Sequence, residues 1–100
     1  MNDTQIDRLV QEIRGEQHVS YMEDDEVIQA YVKEGEFDIN DCCGEQINYE
    51  VDLKARGLLK NYVLYARYKR LAEFKQLYGG DYAYLQAKYY KPSNVWWWIL

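Results

Sequence analysis

The stretch NYVLYARYKRLAEF, residues 61–74, combines tyrosines and basic residues at a spacing that could bind nucleic acid. Tyr65 and Tyr68 stand among the bases, and single-stranded nucleic acids bind to stacking rings flanked by cations. The same tyrosines also follow apolar rows of helical spacing, as packed core residues do. Two interpretations therefore stay open: a nucleic-acid surface, or a packed central helix whose bases face an acidic neighbour or DNA in a channel. The basic candidates are Arg67, Lys69, Arg70 and Lys75.

Residue types suited to catalysis or metal binding are sparse. His18 is the single histidine, and the sequence has no GxSxG motif, HExxH motif or glycine-rich phosphate loop. The acidic residues fall at helix starts and polar faces without a flanking base, so they form no recognisable acid–base pair. Cys42 and Cys43 are adjacent and distant from His18, which favours small buried apolar residues at a helix end over a metal or redox site. We expect no enzyme activity, no metal and no cofactor.

The net charge of −5 conceals a division of the chain into an acidic and a basic half. Residues 1–52 hold 15 acidic and three basic residues, whereas residues 53–100 hold two acidic and nine basic residues. One explanation is that acidic and basic helices pack together within one subunit. The other is that the acidic side of one subunit meets the basic side of the next, in a ring or filament. The candidate acidic residues for such a contact are Glu23, Asp24, Asp25 and Glu26.

The C-terminal stretch PSNVWWWIL is the most apolar part of the chain, but it is too short to cross a bilayer, which needs about 20 residues. We therefore expect no membrane association. Exposed tryptophans must be covered, either by this subunit's own core or by a partner into which they dock. We divide the chain into a helical domain, residues 1–91, and a tail or docking arm, residues 92–100. The docking candidates are Trp96, Trp97, Trp98, Ile99 and Leu100.

Apolar spacing predicts an all-α fold, a small bundle of about four helices with one long central helix and an extended C-terminal tail. The chain has one proline, and few segments alternate with period two. The predicted helices cover residues 4–14, from about 20 to 43, 49–78 and 81–90.

Individual residues predict where these helices start, stop and meet. Thr4 caps the first helix, and Ser20 with Glu23 has the spacing of a capping box for the second. Gly35 interrupts the second helix and marks a close approach of another helix, whereas Gly44 ends it. The pair at positions 79 and 80, both glycine, ends the long helix, which is expected to be buried on most sides.

Two segments together resemble small head–tail connector proteins of phages. The segment DDEVIQAYVKEGEFDINDCCG resembles their first long helix, with an acidic start and a terminal glycine. The segment DLKARGLLKNYVLYARYKRLAEFKQLYGGDYAYLQ resembles their second half, with a leucine-rich start and a Tyr/Arg-rich middle. The resemblance covers about residues 24–89 and does not extend to the Trp-rich end.

The resemblance implies a small α-helical adaptor that forms a ring under the portal of the DNA-filled head. The implied partners are the portal protein, a head-completion stopper or tail protein, and further copies of the chain, with passive contact to channel DNA. The implied location is the head–tail joint of the virion, and the host cytoplasm during assembly. The alternative from the basic residues is a small DNA-binding or regulatory helical protein.

Overall fold

The computed structural model describes residues 1–91, which form five helices and contain no strand. The all-α prediction is therefore confirmed. Helix α2 is the central element, since it packs against α1, α3 and α5. The helices are α1 (Asp3–Glu16), α2 (Asp25–Cys43), α3 (Leu53–Arg67), α4 (Leu71–Leu77) and α5 (Gly79–Lys88).

Local capping chemistry sets the first helix boundaries, at positions that differ from the predicted ones. Asn2, rather than Thr4, caps α1 and forms a reciprocal capping box with Gln5. Ser20 does not start α2, because it belongs to a turn in which the Glu23 backbone N–H donates to its carbonyl. Helix α2 begins after Asp24 and ends, as predicted, at Gly44, which has a left-handed φ of 65°.

The core lies mainly between α2 and α3, which approach closely at Gly35. A Cβ atom at Gly35 would lie 2.7 Å from Leu59 Cδ1 and 2.8 Å from Tyr62 Cδ1. The prediction that Gly35 marks a close helix approach is therefore confirmed. Helix α1 adds one apolar face to the same core. The fully buried side chains of these three helices include Leu9, Ile13, Ile28, Val32, Ile39, Leu59 and Val63.

The predicted long helix over residues 49–78 is wrong, since the chain bends after Arg67. Lys69 has a φ of 60°, and the backbone N–H of Arg70 donates to the carbonyl of Tyr65, which closes the end of α3. The two glycines at 79 and 80 lie at the start of α5 rather than at the end of a long helix. Burial on most sides is confirmed for α3, whose residues from Ala55 to Arg67 are all buried or half-buried, but it is wrong beyond the bend, where Leu77 is exposed.

An aromatic cluster explains the bend. Phe74 of α4 is fully buried and lies against four tyrosine rings, with centroid separations of 5.0–5.9 Å. A straight helix would carry Phe74 away from α3, so packing outweighs the local preference for a continuous helix. The four rings belong to Tyr62, Tyr65, Tyr78 and Tyr82.

Candidate assembly surfaces at the two ends of the bundle

The basic candidates from the sequence do not form one free surface. Arg67 is largely buried, and its guanidinium contacts Glu23 at 2.9 Å, which lowers the pKa of that carboxyl. Lys75 forms an ion pair with Asp38 of α2. The other two candidates lie at the exposed bend: Arg70 pairs with Glu73 at 3.0 Å, and Lys69 donates to the Tyr31 hydroxyl at 3.3 Å.

The acidic and basic halves of the chain are joined within one subunit. Arg56 and Lys60 of α3 both pair with Glu12 of α1, and Lys60 also pairs with Glu16 at 2.9 Å. The hydrogen bond from Arg56, followed by that from Lys60, lowers the pKa of Glu12 to about 2. The first explanation of the charge division, packing within one subunit, therefore accounts for most of the bases described.

A polar cluster joins the start of α3 to the end of α5. Asp52 is buried and caps α3 by accepting from the Ala55 backbone N–H. Its other carboxylate oxygen accepts from Lys88 at 2.9 Å and from the Tyr89 hydroxyl. Burial raises the pKa of Asp52, but these hydrogen bonds outweigh burial and hold the pKa below its usual value. The cluster brings the residues around 51–54 next to those around 84–89.

One end of the bundle exposes two apolar side chains on a firmly held turn. Tyr21 and Met22 are 91 % and 77 % exposed. Arg14 holds the turn, since its guanidinium donates to the carbonyls of Ser20 and Glu23 and pairs with Asp25. The predicted acidic residues lie here. The acidic end surface comprises Tyr21, Met22, Glu23, Asp24, Asp25, Glu26 and Tyr68, the last being next to Arg67.

The opposite end of α3 exposes a second apolar group. Val51 and Leu53 are 76 % and 70 % exposed and flank the buried Asp52. The Lys54 ammonium lies 4.1 Å from the centre of the Tyr84 ring, which places α5 beside the start of α3. The basic end surface comprises Val51, Leu53, Lys54, Tyr84 and Lys88.

The two end surfaces are separated by the length of α3, roughly 22 Å for 15 helical residues. They differ in charge: the acidic end surface holds four carboxylates against the nearby Arg14 and Arg67. The basic end surface holds two lysines beside Asp52 and the Arg8–Glu50 ion pair. These exposed apolar residues were not predicted from the sequence, because a turn tolerates residues of any type. The apolar pair between Ser20 and the acidic run at residues 23–26 is the signal from which the first group could have been predicted.

Residues 1–91 contain no group of three histidine, cysteine or acidic side chains that could hold a metal ion. A groove of about 510 Å³ in the described surface has exposed Phe37 and carboxylates such as Glu36 and Asp41 in its wall, but no histidine or cysteine. Of the two free cysteines, Cys43 is buried as predicted, but the prediction is wrong for Cys42, which is exposed.

Two further predictions concern the tail and the membrane. The docking candidates Trp96, Trp97, Trp98, Ile99 and Leu100 lie outside the described residues. Within residues 1–91, each helix is too short or too polar to cross a membrane. Comparison with protein-family models, with curated proteins and with solved structures gives no match for this chain.

Proposed function

We propose that this chain is a structural assembly protein, a head–tail connector adaptor of a tailed phage or prophage. In this proposal, copies form a ring beneath the portal, complete the DNA-filled head and join it to the tail. The observation that carries the proposal is the exposure of large apolar side chains at both ends of the bundle, including Tyr21, Met22, Val51 and Leu53. Exposed apolar groups of this kind mark protein-binding surfaces.

Three further observations support an assembly role. The fold is all-α, as the resemblance of residues 24–89 to connector proteins implies. The buried side-chain nitrogen and oxygen atoms of residues 1–91 all have hydrogen-bond partners, which is typical of an interior that serves packing. Two grooves of the described surface, one lined by Phe37 and the other by Tyr21, are open and mainly polar, and their walls hold no histidine or cysteine.

The partners in this proposal are the portal protein, a stopper or tail protein and further copies of the chain. Channel DNA makes only passive contact, because most bases already pair with carboxylates of the same chain. The proposed location is the head–tail joint of the virion, with the host cytoplasm as the site of assembly.

The experiment that tests the proposal is electron microscopy of lysates from a phage that lacks this reading frame. We expect separate tails beside tailless heads, and joined particles when the wild-type protein is supplied from a plasmid. A plasmid encoding Gly35→Leu, which disrupts the α2–α3 contact, is the matched control and should not restore joining. Joined particles in the absence of the protein would remove the adaptor role.

The DNA-binding alternative has its own test, at the exposed bend. Lys69 and Arg70 are exposed and form no ion pair with the acidic half of the chain, residues 1–52. Lys75 is also exposed but pairs with Asp38, and Arg67 pairs with Glu23. Under the adaptor proposal, a DNA fragment should show no mobility shift with the wild-type protein at low salt. A shift that weakens with salt and disappears in Lys69→Ala/Arg70→Ala would favour the alternative.

A further inference from the structure

We infer that the acidic end surface of one copy binds the basic end surface of the next copy. This inference rests on the proposed function, since it names the subunit contact by which the adaptor would form a ring. The occupant of each surface is thus a second copy of this chain. The contact is heterologous, because the two surfaces are different and lie at opposite ends of α3.

The turn that carries Tyr21 and Met22 is held rigidly by hydrogen bonds. Arg14 fixes two of its carbonyls, and Arg67 fixes the Glu23 carboxylate from α3. The two apolar side chains are therefore presented outward on a preorganised turn. A preorganised apolar group loses little conformational entropy on binding, which suits it to insert against an apolar partner surface.

The acidic and basic end surfaces are complementary to each other in apolar groups and in charge. The basic end surface offers Val51, Leu53 and the Tyr84 ring as an apolar surface, with Lys54 above the ring. Asp24 and Glu26 are exposed beside the turn on the acidic end surface. Opposite charges at the rim of an apolar contact orient the partners and accelerate association.

The two end surfaces are large enough for a weak specific contact. The exposed apolar side chains at the two ends would together bury on the order of 1,000 Å². That area is at the lower limit for a specific interface, so an isolated pair of subunits associates weakly. Simultaneous closure of many such contacts in a ring gives stability that one pair lacks. The contact should therefore be measured by trapping rather than by size alone.

The experiment is chemical cross-linking between two differently labelled copies, in a Cys42→Ser background that removes the exposed native thiol. One copy carries Met22→Cys and the other Val51→Cys, and a short bismaleimide joins thiols that come together. A third copy with Gln76→Cys, on the exposed face of α4 and outside both end surfaces, gives the rate for random collision. The purified full-length chain is used throughout, and circular dichroism checks that each variant is folded.

We expect the Met22→Cys copy to cross-link to the Val51→Cys copy roughly tenfold faster than either copy cross-links to itself or to the Gln76→Cys copy. Asp24→Asn/Glu26→Gln, which keeps a capping residue at position 24, should lower that rate several-fold at low salt and leave it unchanged at high salt. Equal rates for all pairings would overturn the inference. Faster cross-linking of one variant to itself would show a two-fold contact and overturn it as well.

The cross-linking result and the phage result separate the two proposals. Separate heads and tails in the deletion lysate, with indiscriminate cross-linking, would keep the adaptor role and reject these surfaces. Selective cross-linking with normally joined particles would keep the contact and reject the adaptor role.

Discussion

The close contact between α2 and α3 gives a quantitative prediction for Gly35→Ala. The new methyl carbon would lie 2.7 Å from Leu59 Cδ1 and 2.8 Å from Tyr62 Cδ1, well inside van der Waals contact. Neither neighbour can move freely: Leu59 is fully buried, and the Tyr62 hydroxyl is held by Glu34 at 2.6 Å. The methyl group must therefore push the two helices apart or force strained rotamers.

Two opposing effects determine the free energy of unfolding of this variant. Overpacking of a well-packed core costs about 1–3 kcal/mol. Replacing a mid-helix glycine by alanine contributes about 0.5–1 kcal/mol in the stabilising direction. We expect a net loss of about 1–2 kcal/mol, which lowers the Tm by roughly 4–15 °C for a domain of this size.

The matched control is Gly57→Ala on α3. Gly57 is also inside a helix, but a Cβ atom there meets nothing within 4 Å. This variant should therefore gain about 0.5–1 kcal/mol from helix propensity alone. Urea unfolding followed by far-UV circular dichroism measures both changes. Stabilisation of Gly35→Ala by the same amount as Gly57→Ala would refute the packing argument.

Three further variants test other contacts. Lys69→Gly should raise the free energy of unfolding in urea by about 1 kcal/mol, because Lys69 has a φ of 60° and glycine adopts that region without a steric penalty. Asn40→Leu should lower the free energy of unfolding by about 2–3 kcal/mol, since the buried Tyr49 hydroxyl donates to Asn40 Oδ1 at 2.9 Å and would lose its acceptor. An unchanged free energy of unfolding would show that this hydrogen bond does not stabilise the fold. The lowered pKa of Glu12, about 2 beside Arg56, stabilises the fold above pH 4.5, and this stabilisation is lost as the pH falls toward 2. The Tm advantage of wild type over Glu12→Gln should shrink across that interval, and a constant difference would show that the ion pairs contribute nothing.

The sequence predicted most of the helices because their apolar spacing is governed by local periodicity. The apolar face of α1, the end of α2 at Gly44 and the close approach at Gly35 all follow from residue type and spacing. The bend after Arg67 does not, since no glycine or proline marks it. The bend depends on Phe74 packing against rings distant in sequence, and the long-range contact outweighs local propensity.

The candidate surfaces were less predictable than the fold. The acidic run at residues 23–26 was identified, because clustered charge is visible in the sequence. Its basic counterpart was assigned to Arg67 and nearby residues, but in the folded chain Arg67 pairs with Glu23. Sequence alone does not show which lysines pair internally, because such pairs join residues about 40 positions apart.

The short helix α4 makes one part of the bundle easier to open locally than the rest. It has seven residues and buries only Phe74 completely, whereas α2 and α3 each bury six residues. The left-handed Lys69 separates α4 from α3, so α4 and α5 can open without unwinding the longer helix. The amide hydrogens of α4 and α5 should therefore exchange with solvent before those of α2 and α3, as a separate cooperative unit within one small domain.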